Sequence, residues 1–377
     1  MQSAADAGLL RQRRMISASI DVTEPNQIWL GDKPYINFSS NDYLGLSQSS
    51  QLIAAMAEGA KRFGVGSGAS PLVTGYSDAH RQLEQALCEA TGHEAALLFC
   101  SGFSANSALM KTLFGKAERV VADKLVHASL IDGLRESGAS LKRFAHNDID
   151  AATAMIAQYQ PQAVVTESVF SMDGDCAPLT ELYRACQSSK AWLIVDDAHG
   201  FGILPNQETC RADASNCDVQ IVTFGKALGC QGAAVLASRT CIDFLVANAR
   251  HYIYSTALSP ANAYVAFKAT QMVMQAPKLS RSLADVIHYF KRACQEAGVP
   301  LTPSVTPIQP IVVGELDRLD RVASQLKEQG LWIGAIRPPT VPKGSARLRI
   351  TLNINHSQSQ IDHLVATLSR VFTPNLP

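Results

Sequence analysis

The sequence has no excess of charge, no long hydrophobic run and no export signal. Lys and Arg together number 33, as do Asp and Glu, so the formal net charge is zero. This balance argues against a protein whose whole surface binds nucleic acid or membrane. No stretch approaches the roughly 18 apolar residues of a membrane span, and the first residues lack the charged-then-apolar layout of a signal peptide. These absences predict a cytoplasmic protein without nucleic-acid or membrane partners.

The sequence also lacks a clustered cysteine pattern. Its nine cysteines are scattered, with no CxxC pair and no close Cys/His group. An odd, unpatterned set is typical of reduced thiols and not of a disulfide framework or a zinc site. We therefore predict no metal. The 377 residues are enough for two or three packed units.

Short apolar runs alternate with helical stretches through the middle of the chain. The candidate strands are residues 95–100, 119–123, 141–145, 163–168, 192–197, 220–224 and 232–238. Most are continuously apolar, which suits strands that are buried on both faces. Helical segments lie between many of them, so the pattern predicts an α/β fold with a mainly parallel sheet wrapped by helices.

The pattern changes after residue 265. Long helical stretches at 265–297 and 317–329 frame the segment IQPIVVG, and LRITLNI precedes a last helix at 358–372. We predict an N-terminal helix and short hairpin over 1–45, a large domain over 46–265 and a smaller α+β domain over 266–377. The segment RPPTVPKGSA should be a loop, because its prolines cannot donate backbone hydrogen bonds.

Residues with chemical potential follow the ends of predicted strands. Lys226 stands among glycines in VTFGKALG, where partial burial would lower its pKa and make it a Schiff-base amine. Alone, such a lysine is more often a solvated loop residue. Asp196 and His199 end WLIVDDAHG, at the carboxyl edge where α/β sheets bind ligands. Asp196 could pair with a protonated pyridine nitrogen, although helix capping and metal binding are alternatives for this aspartate pair.

Two further strand ends carry weaker signals. Gly102 in SGFSAN allows a tight turn into a helix whose free N–H groups form an anion site, although an ordinary Ser-capped turn has the same pattern. His127 in VHASL could stack on an aromatic ring or simply cap a helix. In order, these features supply a phosphate cradle, a ring stack, a pyridinium partner and a Schiff-base lysine. A metal site would leave Lys226 and the anion cradle unexplained.

Several sequence blocks resemble the α-oxoamine synthases, pyridoxal-phosphate (PLP) enzymes of the aspartate-aminotransferase fold, fold type I. NFSSNDYLGLS, GSGAS, LFCSGFSAN, VHASLIDG, TESVFSMDGD, VDDAHGFG, VTFGKALG and YIYSTALSP keep that family's order from about Asn37 to the end. The resemblance implies a large domain with a mainly parallel seven-stranded sheet and a smaller C-terminal α+β domain. It also implies a pyridoxal 5′-phosphate cofactor and a homodimer with shared active sites.

The resemblance assigns a role to each matching residue. Lys226 would hold PLP as a Schiff base, Asp196 would pair with the pyridine nitrogen and His199 with the ring hydroxyl oxygen, while His127 would stack on the ring. The residues implied at the phosphate are Gly102, Phe103, Ser171 and Thr223, with Ser255 and Thr256 from a neighbouring subunit.

Other matching residues would face the substrates. Asn41 and Arg349 would contact the amino acid, and Arg349 would grip its carboxylate with a bidentate guanidinium. The segments AIRPPTVPKGSARLRIT and KRFAHND resemble family members that condense L-alanine with pimeloyl-CoA or pimeloyl-acyl carrier protein in biotin synthesis. Arg11, Arg13 and Arg14 are candidates for the far carboxylate of that acyl chain, with a solvated helix face as the alternative. A glycine-using relative and a non-catalytic PLP-fold partner subunit are the alternative functions.

Overall fold

The computed structural model describes residues 13–17, 24–204 and 210–372. The strands are β1 (Gln27–Leu30), β2 (Lys33–Asn37), β3 (Ala95–Phe99), β4 (Arg119–Asp123), β5 (Ser140–Phe144), β6 (Ala163–Glu167), β7 (Trp192–Asp196), β8 (Val219–Thr223), β9 (Ala233–Ala237), β10 (Ile308–Gly314), β11 (Leu331–Trp332), β12 (Gly334–Ile336) and β13 (Ala346–Thr351). The helices are α1 (Ser50–Phe63), α2 (Asp78–Thr91), α3 (Gly102–Leu113), α4 (Ala128–Ser137), α5 (Ile149–Tyr159), α6 (Leu179–Ser188), α7 (Arg239–Asn248), α8 (Arg250–Ile253), α9 (Pro260–Gln275), α10 (Lys278–Glu296), α11 (Leu316–Glu328) and α12 (Gln358–Phe372).

A seven-stranded sheet in the order β3-β9-β8-β7-β6-β4-β5 forms the centre of the fold. Strand β9 is antiparallel to both of its neighbours, and the other pairs are parallel. The seven predicted strands are confirmed, and each predicted end lies within one residue of the observed end. The predicted mainly parallel sheet is therefore the observed one.

Alternate side chains of the same strands enter two hydrophobic cores on opposite faces of the sheet. Val222 of β8 packs in the core that includes α1, α2 and α9, whereas its neighbour Ile221 packs in the core that includes α3 to α7. Because both faces are covered, the strands are apolar along their length. This explains why the continuous apolar runs predicted them.

The C-terminal region contains a second, antiparallel sheet in the order β10-β13-β12. A third small sheet joins the β1–β2 hairpin to β11, and the predicted hairpin is confirmed. The predicted helix before it lies largely outside the described residues, as does Arg11. Within the described ranges, no helix is both long and apolar enough to cross a membrane.

The predicted stretch over 265–297 is helical but is divided between two helices. It consists of the end of α9 and the whole of α10, separated at Ala276 and Pro277. Pro277 lacks an N–H group, and a proline disfavours the helical conformation of the residue before it, so α9 ends there. The predicted domain boundary at 265 falls inside α9, which packs along α1 and α2. The division into domains stays a prediction.

Candidate active site

The parallel strands β6, β7 and β8 place polar residues side by side at one edge of the central sheet. Glu167 and Asp196 are direct neighbours at the ends of β6 and β7, and Thr223 ends β8. Lys226 follows β8 within a few residues, and His199 follows β7. The residues predicted from separate motifs therefore converge at the carboxyl edge, where ligands bind to sheets of this type.

Lys226 and His199 are in direct contact. The Lys226 Nζ atom lies 2.7 Å from His199 Nε2. Burial lowers the pKa of Lys226 to about 8, although the nearby Asp196 and Glu167 carboxylates partly oppose this shift. Burial also lowers the pKa of His199 well below its ordinary value, and the Lys226 cation adds to this effect. The pair therefore combines a neutral imidazole with an amine that loses its proton close to neutral pH.

Asp196 is buried and held by two donors. Its Oδ2 accepts a hydrogen bond from Asn106 Nδ2 at 2.7 Å, and its Oδ1 accepts one from the Ala198 N–H at 3.1 Å. Asn106 also donates to Ser129 Oγ at 3.0 Å, and that hydroxyl lies 2.7 Å from His127 Nδ1. Asp196 and His127 thus belong to one hydrogen-bonded network, which fixes both groups relative to each other.

Glu167 is a second buried carboxyl group beside Asp196. Its side chain is 3% exposed, and its Oε1 has no hydrogen-bond partner among the described residues. Burial raises its pKa well above the ordinary value, and the adjacent Asp196 raises it further. Glu167 is therefore harder to ionise than an exposed glutamate.

The start of α3 forms a concave site next to Thr223. Ser101 caps the helix by accepting a hydrogen bond from the Ser104 N–H at 3.2 Å. A Cβ atom at Gly102 would lie 2.6 Å from Thr223 Oγ1, so only glycine fits there. The Gly102 and Phe103 N–H groups have no acceptor in the described part of the chain. Free N–H groups at a helix start are suited to bind an anion.

Two buried arginines of β13 have different partners. Arg349 donates from Nε to the Ser171 carbonyl at 2.6 Å and from Nη1 to Asn41 Oδ1 at 3.1 Å. Arg347 instead forms an ion pair with Asp173. No carboxylate of the described residues pairs with Arg349. The predicted grouping of Asn41 with Arg349 is thus observed, and Arg349 keeps its charge available.

The remaining predicted residues lie farther from this centre. Ser255 and Thr256 are exposed in the single chain. The exposed Arg14 guanidinium lies 5.1 Å from the ring centroid of Trp332, at a groove of about 860 Å³ that also reaches Thr340. Within the described ranges, no group of three or more His, Cys, Asp or Glu side chains could hold a metal ion.

Sequence reasoning missed Tyr43, Asn106, Ser129 and Glu167. Tyr43 is fully buried, and its hydroxyl is hydrogen-bonded to His199 Nδ1. Asn106 and Ser129 lie on buried faces of α3 and α4. A polar residue on an otherwise apolar helix face is a signal that could have identified both.

Known proteins resemble this chain over most of its length. The family described as aminotransferase class I and II matches residues 33–368. The 8-amino-7-oxononanoate synthase of Vibrio cholerae serotype O1 is 45% identical over 355 residues, covering 93% of this chain and 92% of the relative. That of Serratia proteamaculans is 47% identical over 348 residues, covering 91% of each.

Solved structures share the fold. Serine palmitoyltransferase from S. paucimobilis, with bound PLP–myriocin, superposes with a TM-score of 0.89 at 26% identity, covering 98% of this chain and 95% of that one. The 8-amino-7-oxononanoate synthase of Francisella tularensis has a TM-score of 0.77 at 30% identity, covering 89% of this chain and 97% of that one. The fold and family that the sequence blocks predicted are thereby confirmed. The chain belongs to the aminotransferase class I and II family and is similar to 8-amino-7-oxononanoate synthases.

Proposed function

We propose that this chain catalyses the PLP-dependent condensation of L-alanine with a pimeloyl thioester, with loss of carbon dioxide and release of the thiol. This is the 8-amino-7-oxononanoate synthase reaction of biotin biosynthesis. Curated relatives of that name, at 45–47% identity over 91–93% of this chain, support it. The observation that carries the proposal is that Asp196 and Arg349 both lie close enough to Lys226 to influence its charge, at the carboxyl edge of the central sheet.

The residues at this edge fit PLP. The free N–H groups of Gly102 and Phe103 would hold its phosphate with Thr223, because a helix start attracts anions. Asp196 would keep the pyridine nitrogen protonated, and His127 would stack on the ring. In the same site, Ser171 would contact the phosphate region and His199 the ring hydroxyl oxygen. When bound, PLP supplies an electron sink for the electron pair left on the α carbon of the amino acid.

Lys226 and Arg349 would have different roles toward the amino acid: Lys226 would accept its α proton, and Arg349 would bind its carboxylate. The pKa of Lys226 is about 8, so an appreciable fraction of its amine is neutral near pH 7 and can accept the α proton at Nζ. Arg349 would hold the carboxylate with its guanidinium, helped by Asn41 at its Nη1. A held carboxylate fixes the direction in which the α proton points, so Arg349 would also orient the proton transfer.

The acyl donor would be pimeloyl-CoA or pimeloyl-acyl carrier protein. Its far carboxylate would need a cation, and Arg13, Arg14 and Arg11 remain the candidates. Arg14 at the groove beside Trp332 supports this assignment, while Arg11 lies outside the described residues.

We also propose a homodimer in the cytoplasm. Ser255 and Thr256 are exposed, as are the apolar side chains of Val73 and Tyr254, at 75% and 73%. The exposed apolar side chains are costly to leave in water, so a second copy of the chain would cover them. Ser255 and Thr256 of one subunit would then lie at the phosphate site of the other subunit. The scattered reduced cysteines support a cytoplasmic location.

A substrate test separates this function from its alternatives. Purified enzyme is incubated with L-alanine or glycine, each with pimeloyl-CoA or acetyl-CoA, and the product mass is measured. Alanine with pimeloyl-CoA should give 8-amino-7-oxononanoate. Preference for glycine with acetyl-CoA would instead indicate a glycine C-acetyltransferase. A PLP absorbance band with no product from any pair would indicate a non-catalytic partner subunit.

A further inference from the structure

A buried chain of hydrogen-bonding groups connects Lys226 with Arg349. From Lys226 Nζ the chain passes to His199 Nε2 at 2.7 Å, and from His199 Nδ1 to the Tyr43 hydroxyl. The Tyr43 hydroxyl lies 3.4 Å from Asn41 Oδ1, which accepts from Arg349 Nη1 at 3.1 Å. Tyr43 comes from the segment after β2, whereas His199 and Lys226 come from the segments after β7 and β8 of the central sheet. The tyrosine therefore joins two parts of the site.

The charge of Lys226 decides which nitrogen of His199 carries the proton. A neutral imidazole has one donor and one acceptor nitrogen. A charged ammonium can only donate, so Nε2 must then accept and Nδ1 must donate to the Tyr43 oxygen. A neutral amine can accept, so Nε2 can then carry the proton while Nδ1 accepts from the Tyr43 hydroxyl.

The Tyr43 hydroxyl can be a hydrogen-bond partner of His199 Nδ1 in both of these states. It accepts from Nδ1 in the first state, with its own proton directed to Asn41 Oδ1, and donates to Nδ1 in the second. Burial raises the pKa of Tyr43 to about 12, so the hydroxyl keeps its proton throughout the neutral range. Phenylalanine has the same ring shape but leaves Nδ1 of the buried His199 without this partner in either state.

We propose that Tyr43 is a positioning residue for His199: its hydroxyl gives Nδ1 a partner in both tautomers, so that Nε2 can accept from a charged Lys226 and can donate to the ring hydroxyl oxygen of PLP once the cofactor is bound. The inference rests on the proposed function in placing the ring hydroxyl oxygen of PLP at His199. In the chain without cofactor, each change in the charge of Lys226 would then be matched by a tautomer change in His199, and Nδ1 would keep its partner in both states.

Several charged groups face Lys226 and set the pH at which the change occurs. Asp196, Glu167 and Asp197 favour the charged amine, and Arg349 opposes it, while burial is the largest influence and lowers the pKa to about 8. The tautomer change should therefore be centred near pH 8 in the chain without cofactor. His199 itself stays neutral over this range because burial lowers its pKa well below the ordinary value.

Nuclear magnetic resonance of the ¹⁵N-histidine-labelled full chain, without cofactor, tests the tautomer directly. The His199 signals are assigned by their absence in His199→Asn. We expect the proton to move from Nδ1 to Nε2 as the pH rises from 6 to 10, and this transition to shift to lower pH in Tyr43→Phe, because the Nδ1–H tautomer then has no acceptor. A proton that stays on one nitrogen in the parent chain, or an unchanged transition in Tyr43→Phe, would overturn the proposal. The titration of the parent chain tests the tautomer change of His199 even if Tyr43→Phe does not fold.

Steady-state kinetics of the PLP-loaded enzyme give the second readout. Tyr43→Phe should lower kcat about tenfold or more, the scale at which loss of a histidine's second partner acts elsewhere, and leave KM for alanine nearly unchanged. The matched control is Tyr35→Phe, a buried tyrosine of β2 that packs against Trp332; it should keep parental kinetics. An unchanged kcat in Tyr43→Phe would contradict the role. A parent enzyme that makes no condensation product would instead contradict the proposed function, and the tautomer measurement would still stand.

Discussion

Arg347 and Arg349 leave β13 on the same face of the strand and are equally buried, yet they meet different partners. Arg347 pairs with Asp173, whereas Arg349 contacts the Ser171 carbonyl and Asn41. Period-two alternation along the strand places the two side chains on one face. It could not say which arginine already has a carboxylate, because Asp173 lies far away in the chain and only the fold brings it to Arg347.

This difference predicts unequal effects of two conservative changes. Arg349→Lys should weaken alanine binding by about 2–4 kcal/mol, or roughly thirty- to a thousandfold, because a lysine ammonium cannot keep the contacts to Ser171, Asn41 and Thr351 and also donate to a carboxylate as the free Nη2 group can. The measurement is the visible spectral change that alanine causes in the PLP-loaded enzyme. Arg347→Lys is the matched control and should change alanine binding much less. If the control loses alanine binding and Arg349→Lys keeps it, the two roles are reversed.

At the scale of elements, His146 joins three segments near the site. It follows β5, and its Nδ1 lies 2.9 Å from Asp123 Oδ1 at the end of β4. Its Nε2 lies 2.7 Å from Asp175 Oδ2, in the loop after β6 that also carries Ser171. Burial alone would lower the pKa of His146, but the hydrogen bonds to the two aspartates outweigh it and raise the pKa to about 10. His146 is therefore a fixed cation that ties this loop to the sheet.

The raised pKa predicts how stability depends on pH. A histidine whose pKa is higher in the folded state contributes stability that is fully present below its unfolded pKa of about 6.5 and is lost as the pH rises through the folded value. His146→Gln should lower the free energy of unfolding by about 1–3 kcal/mol at pH 6, and the difference should shrink at pH 10 and above. Urea unfolding at both pH values measures this. His288 is exposed, so His288→Gln serves as the control. If His146→Gln lowers the free energy of unfolding equally at both pH values, His146 is not a cation in the folded protein.

The elements of the central sheet could be predicted because each strand is apolar on both faces and is bounded by turn residues. Strands β11 and β12 could not, since they are only two and three residues long and form by pairing with β2 and β13. In the site, too, residues that are placed by contacts with distant segments could not be predicted. The strand-end residues were predictable from position, whereas Tyr43 reaches His199 through tertiary packing that no local pattern records.

At the scale of the whole molecule, the dimer and its shared sites remain a prediction. A chain with Lys226→Ala is combined with a chain with Thr256→Ala, and the heterodimer is isolated with two different tags. If Thr256 serves the neighbouring site, both defects fall in one site and the other is intact, so about half of the parental activity should return. Each variant homodimer should be strongly impaired. A heterodimer no more active than the homodimers, or a fully active monomer in sedimentation, would contradict shared sites.

The central claim is that Lys226 acts in the PLP-dependent condensation of alanine with a pimeloyl thioester. The direct measurement is the mass of the product formed from L-alanine and pimeloyl-CoA by the PLP-loaded parent and by Lys226→Ala, with the visible absorbance of both proteins recorded beforehand. The parent should show the band of lysine-bound PLP and form 8-amino-7-oxononanoate. Lys226→Ala should show neither, because VTFGKALG offers no substitute amine. Formation of the product by Lys226→Ala at the parental rate would contradict the account.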